Sequence, residues 1–385
     1  MCSLFSKPKS YLGVDLGAGG IKVVEVQEVK KRPMLFTYGF TSEFQDIHRL
    51  SAGKEIEPED FQVEQTEGIR PVKKNLPQIG ISEQKIDKYA ATLKEVCRQA
   101  KTSSKNASVS LPVSAVFHSI VTLPKVNEKD LNSILKAEVK KLLPYPIDDM
   151  VLDYQILEKF SDERHKKIMV NAVPKSIVEF YTKVFQRAGL ILDSLEPEST
   201  ALERALVGRD QAVTMLIDMG AERTNLFIID QTVPITNHTI ESGGNKINKI
   251  LSATLGVDEK LVERMKRDLF DNSSKSNNGQ KLDKENFIKL LDPIIDPIVK
   301  QIEYSFDLYL HQGGNENKRP EKIVLTGGAA MMPYLAEYLE DTFKIKCYLG
   351  DPWARVVYQD KLKPVLNEIG PRMSVAVGLA LRKLS

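Results

Sequence analysis

Two stretches of this chain carry the residue types that a metal–nucleotide complex needs. Gly13-Val-Asp15-Leu-Gly17-Ala-Gly19-Gly20-Ile-Lys22 lies near the start, and Asp218-Met-Gly220-Ala-Glu-Arg-Thr224-Asn225 repeats its opening far down the chain. Each reads as an apolar strand, an Asp-x-Gly turn and a returning strand: Tyr11 to Val14 and Ile21 to Val26, then Val213 to Ile217 and Leu226 to Ile229. The N–H groups of such a turn can grip phosphate oxygens. Asp15 and Asp218 suit the water shell of Mg²⁺, which keeps several waters and takes few direct protein ligands. Gly17, Gly19, Gly20 and Gly220 allow close backbone approach, and Lys22 offers a charge to the phosphates. Asp and Gly are also good formers of ordinary turns, so neither hairpin is diagnostic alone. The pair together predicts a nucleotide clamped between two related halves.

Weaker signals follow in order. Thr326-Gly327-Gly328-Ala-Ala stands between a strand and a helix, where paired glycines let a base or ribose near the backbone, although plain loops use them too. Gly243-Gly244-Asn245 opens a helix and is another candidate phosphate or ribose contact. Glu263 and Lys266 lie three apart on a helix, a spacing that serves a ligand or a surface ion pair equally. Glu196, before Pro197 and a helix, is a candidate to orient an attacking water; a helix dipole also favours an acid there.

The elements that must position these residues belong to more than one core, since 385 residues exceed what one core organises. With 54 basic and 52 acidic residues, the formal charge of +2 points to neither nucleic acid nor an anionic membrane surface. No run has the roughly 18 apolar residues of a membrane span. Met1-Cys2-Ser3-Leu4-Phe5 reads as too short and polar for a signal peptide, so a cytoplasmic protein is expected. Cys2, Cys97 and Cys347 suggest no disulfide framework, and the histidines show no metal spacing.

Met34 to Phe40 reads as a third strand, and Ser42 to Gln78 as a long loop or inserted lobe. Helices are expected over Ser82 to Ala100, from Asn127 to Pro144, over Ser176 to Ala188 and from Lys246 to Leu255. Others are expected from Asp258 to Phe270, Pro293 to Gln312, Met332 to Phe343 and Met373 to Leu384. Strands are expected at Val151 to Leu157, Ile168 to Val173, Leu190 to Leu195, Val233 to Ile240, Lys322 to Leu325 and Lys346 to Leu349. Asp271 to Lys284, polar and free of aromatics, reads as a mobile loop.

Hairpin, Glu-Pro helix, hairpin, Gly-Gly helix, Glu-x-x-Lys helix and Gly-Gly-Ala loop stand in an order that resembles the actin-like ATPase superfamily, which includes chaperones and sugar kinases. Within it, Val113 to Pro124, Ala137-Glu138 to Pro146-Ile147, Leu152 to Gln155, Arg187 to Leu190 and Glu196 to Leu206 look like the PilM family of type IV pilus assembly proteins. The resemblance implies an α/β, ribonuclease H-like, bilobed ATPase fold with an inserted 1C-type subdomain, as in the cell-division protein FtsA. It places the first part of subdomain 1A at 9–116, with the insertion at 42–78, and the 1C-like insert at 117–168. Subdomain 1A returns at 169–212, the second domain spans 213–364 with the loop at 271–284, and 365–385 returns to 1A.

The same resemblance implies ATP and Mg²⁺ as ligands. Asp15, Gly17, Lys22, Asp218, Gly220 and Thr224 would line the phosphates and magnesium, with Gly19, Gly20 and Asn225 as further cofactor-binding residues and Asp15 and Asp218 holding the metal through water. Glu263 and Lys266 would flank the adenosine, near Gly243, Gly244, Gly327 and Gly328. The glycine-rich first turn departs from the serine-rich turn usual in the family, which loses hydroxyl contacts to phosphate. The implied partner is the cytoplasmic N-terminal tail of a PilN-type inner-membrane protein, with pilus motor ATPases and self-association as further possibilities. Candidates for its groove are Val116, Leu142, Leu143, Tyr145 and Ile147, any of which could instead fill the subdomain core. Competing expectations are a small-molecule kinase, which needs an acidic base and a polar substrate pocket, and an FtsA-like filament former. The chain stops at Ser385 directly after a helix, without the amphipathic membrane helix usual in FtsA-type proteins, which favours the scaffold.

Overall fold

The computed structural model describes residues 8–41, 82–143, 145–265, 284–311, 315 and 318–384. The insertion expected at 42–78, Lys266, and the loop expected at 271–284 apart from Lys284 lie outside the described residues. Two compact units emerge. The first collects described residues within Met1–Gln45, Glu95–Ser110 and Ile191–Ser385, and the second those within Asp46–Lys94 and Leu111–Leu190.

The first unit opens with β1 (Ser10–Gly17), β2 (Gly20–Val29) and β3 (Arg32–Phe40). The apolar runs of β1 and β2 are buried on both faces, as strands covered on two sides must be. Glu25, in the middle of β2, is fully buried and accepts hydrogen bonds from the Ser103 and Ser104 N–H groups at 2.7 and 3.0 Å. That fixes the loop between α1 (Glu83–Ala100) and β4 (Asn106–Leu111), and β4 lies parallel to β1.

In the second unit, β5 (Phe117–Pro124), α2 (Glu128–Leu142), β6 (Met150–Ile156), β7 (His165–Pro174) and α3 (Lys175–Ala188) follow. Its three-stranded sheet has the order β5-β7-β6. Leu131, Leu135 and Val139 of α2 recur at helical spacing and close on Val121, Leu123, Ile168 and Val170. On α3, Ile177, Phe180, Tyr181, Val184 and Phe185 are buried, and Phe180 meets Tyr89 of α1 edge to face at 5.7 Å. The boundary expected at 168 falls inside β7, whose pairing with β6 continues to Pro174.

The chain returns to the first unit with β8 (Ile191–Pro197) and α4 (Glu198–Leu202), which runs into a π-helical turn at Glu203–Val207. Next come β9 (Thr214–Met219), β10 (Thr224–Asp230), β11 (Val233–Ile240), α5 (Gly244–Leu255) and the helical stretch α6 (259–265). The remainder is α7 (Lys284–Leu310), β12 (Lys322–Thr326), α8 (Leu335–Phe343), β13 (Lys346–Leu349) and α9 (Lys363–Leu381). The two sheets of this unit are ordered β3-β2-β1-β4-β8 and β11-β10-β9-β12-β13. Each is an antiparallel meander whose first strand takes a parallel neighbour, β4 on β1 and β12 on β9. The repeated hairpin motif therefore reflects a repeated sheet.

Two helices begin earlier than proline suggests. The helix expected from Pro293 starts at Lys284, because Pro293 and Pro297 lie on its exposed side while Leu291, Ile294, Ile295 and Ile298 are buried. The closing helix expected from Met373 starts at Lys363 and carries Pro371 inside. Its apolar face, with Leu366, Met373, Ala376, Val377 and Ala380, packs on Val24 and Val26 of β2 and on Trp353. Gly13 of β1 lies so close beneath α9 that a Cβ there would collide with the Ala376 carbonyl.

Candidate functional site

Cross-strand register decides what faces what in each hairpin. Asp15 is the partner of Lys22, and Lys22 Nζ lies 2.9 Å from Asp15 Oδ2. Asp218 is the partner of Asn225 at the same spacing, with an amide in place of the amine. Gly17 and Gly20 pair across the first turn, with Ala18 and Gly19 at its tip, and Gly20 takes a φ of +117°. The two turns approach each other: a Cβ on Gly19 would lie 3.3 Å from the Ala221 Cβ.

The carboxylates also feel each other. Burial, and then the negative charge of Asp15, push the Asp218 carboxyl up to about 6, while Lys22 and a hydrogen bond from Asn225 pull it down. On the third side, Thr326 pairs with Asp218 and is followed by Gly327 at φ +86°. A Cβ on Gly327 would lie 2.5 Å from Asp218 Oδ1, so this turn closes on the carboxylate only as glycine. Asp15, Lys22, Asp218, Gly19 and Gly327 thus come together at one place in the first unit.

Other expected contacts are arranged differently. Thr224 is fully buried and its hydroxyl donates to the Ser242 carbonyl at 2.7 Å, so that proton is not offered to a phosphate. The N–H groups of Gly244 and Asn245 donate to the Gly220 and Ala221 carbonyls at 2.9 and 2.8 Å. Gly244 therefore spends its N–H on seating α5 against the second turn, and Gly243 packs there so closely that a Cβ would lie 2.7 Å from the Ala221 carbonyl. The Gly220 and Gly327 N–H groups are likewise engaged, by Arg223 O and Pro371 O. Gly328 is exposed at the cleft, and Glu263 accepts from Asn248 Nδ2 at 3.0 Å.

Glu196 is the clearest departure. Arg204 grips both its oxygens, at 2.7 and 2.9 Å, and Arg382 lies 3.5 Å away. A carboxylate held in that fork is not placed to orient a water. Glu198, in the first turn of α4, is the acid that faces the second hairpin: it is buried and accepts from Asn225 Nδ2 at 3.3 Å, while Asn225 Oδ1 accepts from Thr239 at 2.9 Å. Asn225 thus links Glu198, Thr239 and Asp218. The signal that could have found Glu198 is its place as the acid that opens a helix after Pro197.

Three buried polar atoms on the second turn, its flank and α5 have no protein partner among the described residues: Arg223 Nη1, Ser242 Oγ and Asn248 Oδ1. A polar ligand would satisfy them. Among the described residues, no group of three or more His, Cys, Asp or Glu is set as a metal cage. Two carboxylates in a cleft instead suit a cation that retains waters and phosphate oxygens. The residues present therefore fit a magnesium–nucleotide complex.

The second unit has a separate open groove, lined by Lys136, Ala137 and Lys140 of α2, Ile147, Asp148, Met150 and Leu152 leading into β6, and Lys175. Of the five groove candidates, Ile147 lines it. Leu143 is a core residue, Tyr145 packs on that core, Leu142 is exposed, and Val116 is half-buried on another turn. Leu143 closes the end of α2 against the sheet, which is why it is lost to the groove.

Comparison with known proteins extends the picture. The chain is 22% identical over 291 residues to the cell division protein FtsA of Borreliella burgdorferi, covering 67% of both chains. It is 27% identical over 190 residues to FtsA of Enterococcus faecalis, covering 46% of this chain and 43% of that one. Its structure is similar to the PilM-PilN type IV pilus biogenesis complex, with a TM-score of 0.74, 22% identity and coverage of 98% and 100% of the two chains. It is also similar to the ethanolamine utilization protein EutJ from Carboxydothermus hydrogenoformans, with a TM-score of 0.53, 11% identity and coverage of 98% and 91%. The fold is that of the actin-like ATPases. The pattern of the type IV pilus assembly protein PilM family matches residues 45–384. The chain belongs to that family.

Proposed function

We propose that this chain is a cytoplasmic scaffold of the type IV pilus, or a related secretion, assembly machine, which binds ATP–Mg²⁺ and holds the N-terminal tail of a PilN-type inner-membrane protein. The observation that carries the nucleotide half is the convergence of Asp15 and Asp218, from two equivalent hairpins, in one cleft. In this reading the two carboxylates hold waters of the metal, and Ala18 and Gly19 present turn N–H groups to phosphate oxygens. The metal, when bound, neutralises the charge on the phosphates. Arg223, Ser242 and Asn248 supply polar atoms toward the remainder of the nucleotide, with Glu263 positioned by Asn248. Glu198, not Glu196, is the carboxylate to orient a water. With one such group and no further base assigned, turnover is slow and nucleotide state acts chiefly as a signal.

Support for the partner half comes from membership of the family and from the similar solved complex of PilM with PilN. The groove of the second unit has what an extended peptide needs. Its floor is apolar, and β6 is an edge strand of the sheet, so backbone and alternate side chains can both be engaged. Among the described residues no helix is long and apolar enough to cross a membrane, so membrane attachment in this reading runs through the partner. A synthetic partner tail titrated into the ATP-loaded, ADP-loaded and nucleotide-free chain tests the proposal. The tail should bind, with an affinity that differs between nucleotide states. Binding no tighter than that of a scrambled peptide would refute the partner half.

A further inference from the structure

Arg223 immediately precedes β10, and its side chain lies on the face of the second hairpin that carries Asp218. Asn225 and Thr239 are cross-strand partners whose side chains meet at 2.9 Å. Arg223 and Glu241 stand two residues further along, beyond the ends of β10 and β11, and Arg223 Nε donates to Glu241 at 3.2 Å. Residues two apart on a strand share a face. On that face Asn225 also bonds Asp218 and Glu198. The backbone that carries the guanidinium is fixed. The Arg223 carbonyl accepts from the Gly220 N–H at 2.8 Å, and a Cβ on Gly243 would lie 2.7 Å from the Arg223 N.

The pairing with Glu241 engages only part of the guanidinium. Glu241 takes Nε, while Nη1 is buried with no hydrogen-bond partner among the described residues. Beside it, Ser242 is 3% exposed, and its Oγ is likewise buried without a partner. Buried polar atoms left without partners are costly, and a guanidinium can only donate. An anionic oxygen is the group that would satisfy Nη1. The ion pair itself is no obstacle: the Glu241 side chain is 75% exposed against 16% for Arg223, and pairs with an exposed member are weak. The face of the hairpin indicates which oxygen. In the reading above Glu198 orients a water, which must approach the terminal phosphate, and Glu198 is held by Asn225 on the face shared with Arg223. We propose that Arg223 is a ligand of the terminal phosphate through Nη1, with Ser242 beside it, and sets the preference of the chain for a triphosphate over a diphosphate. This rests on the nucleotide reading above and narrows it.

The test is a calorimetric titration series with ATP, ADP and adenosine in magnesium buffer, on the full chain and on Arg223→Ala, Arg223→Lys and Glu241→Gln. Arg223→Ala should weaken ATP by about 10- to 100-fold, as loss of a charge-assisted contact does, and leave ADP and adenosine within about threefold. Retained ADP affinity is at the same time the control that the turn survives the substitution. Lysine, a point charge without the fork, should restore part of the ATP loss. Glu241→Gln should leave ATP within about threefold, because its carboxylate faces solvent. Equal weakening of ATP and ADP, or an ATP loss that Glu241→Gln reproduces in full, would reduce Arg223 to a structural part of the turn and overturn the assignment. Unchanged ATP affinity in Arg223→Ala would overturn it too, and each of these results leaves the nucleotide reading in place. A parent chain that binds no nucleotide would remove that reading and Arg223's role together.

Discussion

Asp15 faces a lysine and Asp218 faces an amide, and that single difference sets the electrostatics of the cleft. The ion pair compensates the first carboxylate; the second, half-buried beside a like charge, holds its proton up to about pH 6. Its folded value lies above its unfolded one, so Asp218 contributes stability at low pH that is lost as pH rises through about 6. Metal binding needs the deprotonated form, so the two tendencies oppose. Mg·ATP affinity should be about tenfold weaker at pH 5 than at pH 7, a dependence that Asp218→Asn abolishes along with most of the affinity. Asp15→Asn should move the midpoint of that dependence downward, because it removes a charge that raises Asp218; calorimetry across pH would show a fixed midpoint if the carboxylates were independent. The two glutamates separate as well. Glu196→Gln should lower stability by about 3 kcal/mol in urea titrations, since Arg204 loses a buried partner. Glu198→Gln should slow phosphate release with little change in the melt. The reverse pattern would restore Glu196 to the site.

At the scale of elements, α9 is what holds the cleft's walls in register. It packs on β1 and β2, and Pro371 ties it to the end of β12. Gly13→Ala would drive a methyl into the Ala376 carbonyl and should destabilise the chain by about 2 kcal/mol or more, read from a denaturant titration. An unchanged midpoint would mean that α9 can shift away at little cost. Much of this architecture is legible in the sequence, because Asp-x-Gly between apolar runs specifies a hairpin locally. The α3 helix is equally legible, since its apolar stripe has a single period. Prolines mislead where tertiary packing overrides local preference. Pro293 and Pro297 face outward on α7, and Pro371 directs its carbonyl to β12. Local reading also cannot show that Gly244 and Asn245 spend their N–H groups on the adjacent turn, or that Arg204 reaches back to Glu196. Such pairings join distant segments, so spacing carries no trace of them.

At the scale of the whole molecule, two sites with different chemistry divide between the two units. The cleft of the first unit is charged and glycine-lined; the groove of the second combines an apolar floor with lysines at its rim. Ile147→Asp should weaken binding of the partner tail by at least about tenfold, because it places a charge on the apolar floor. It should leave Mg·ATP affinity within about twofold, because the groove and the aspartate cleft share no residue. Loss of both together would indicate a general folding defect. The central claim is that equivalent hairpins share one cation between Asp15 and Asp218. Anomalous diffraction from crystals grown with Mn²⁺ and a non-hydrolysable ATP analogue tests it most directly. The account predicts a manganese peak between those two carboxylates, bridged by waters and in contact with phosphate oxygens that rest on the Ala18–Gly19 turn. A nucleotide ordered elsewhere on the molecule, or a metal peak remote from both aspartates, would contradict it.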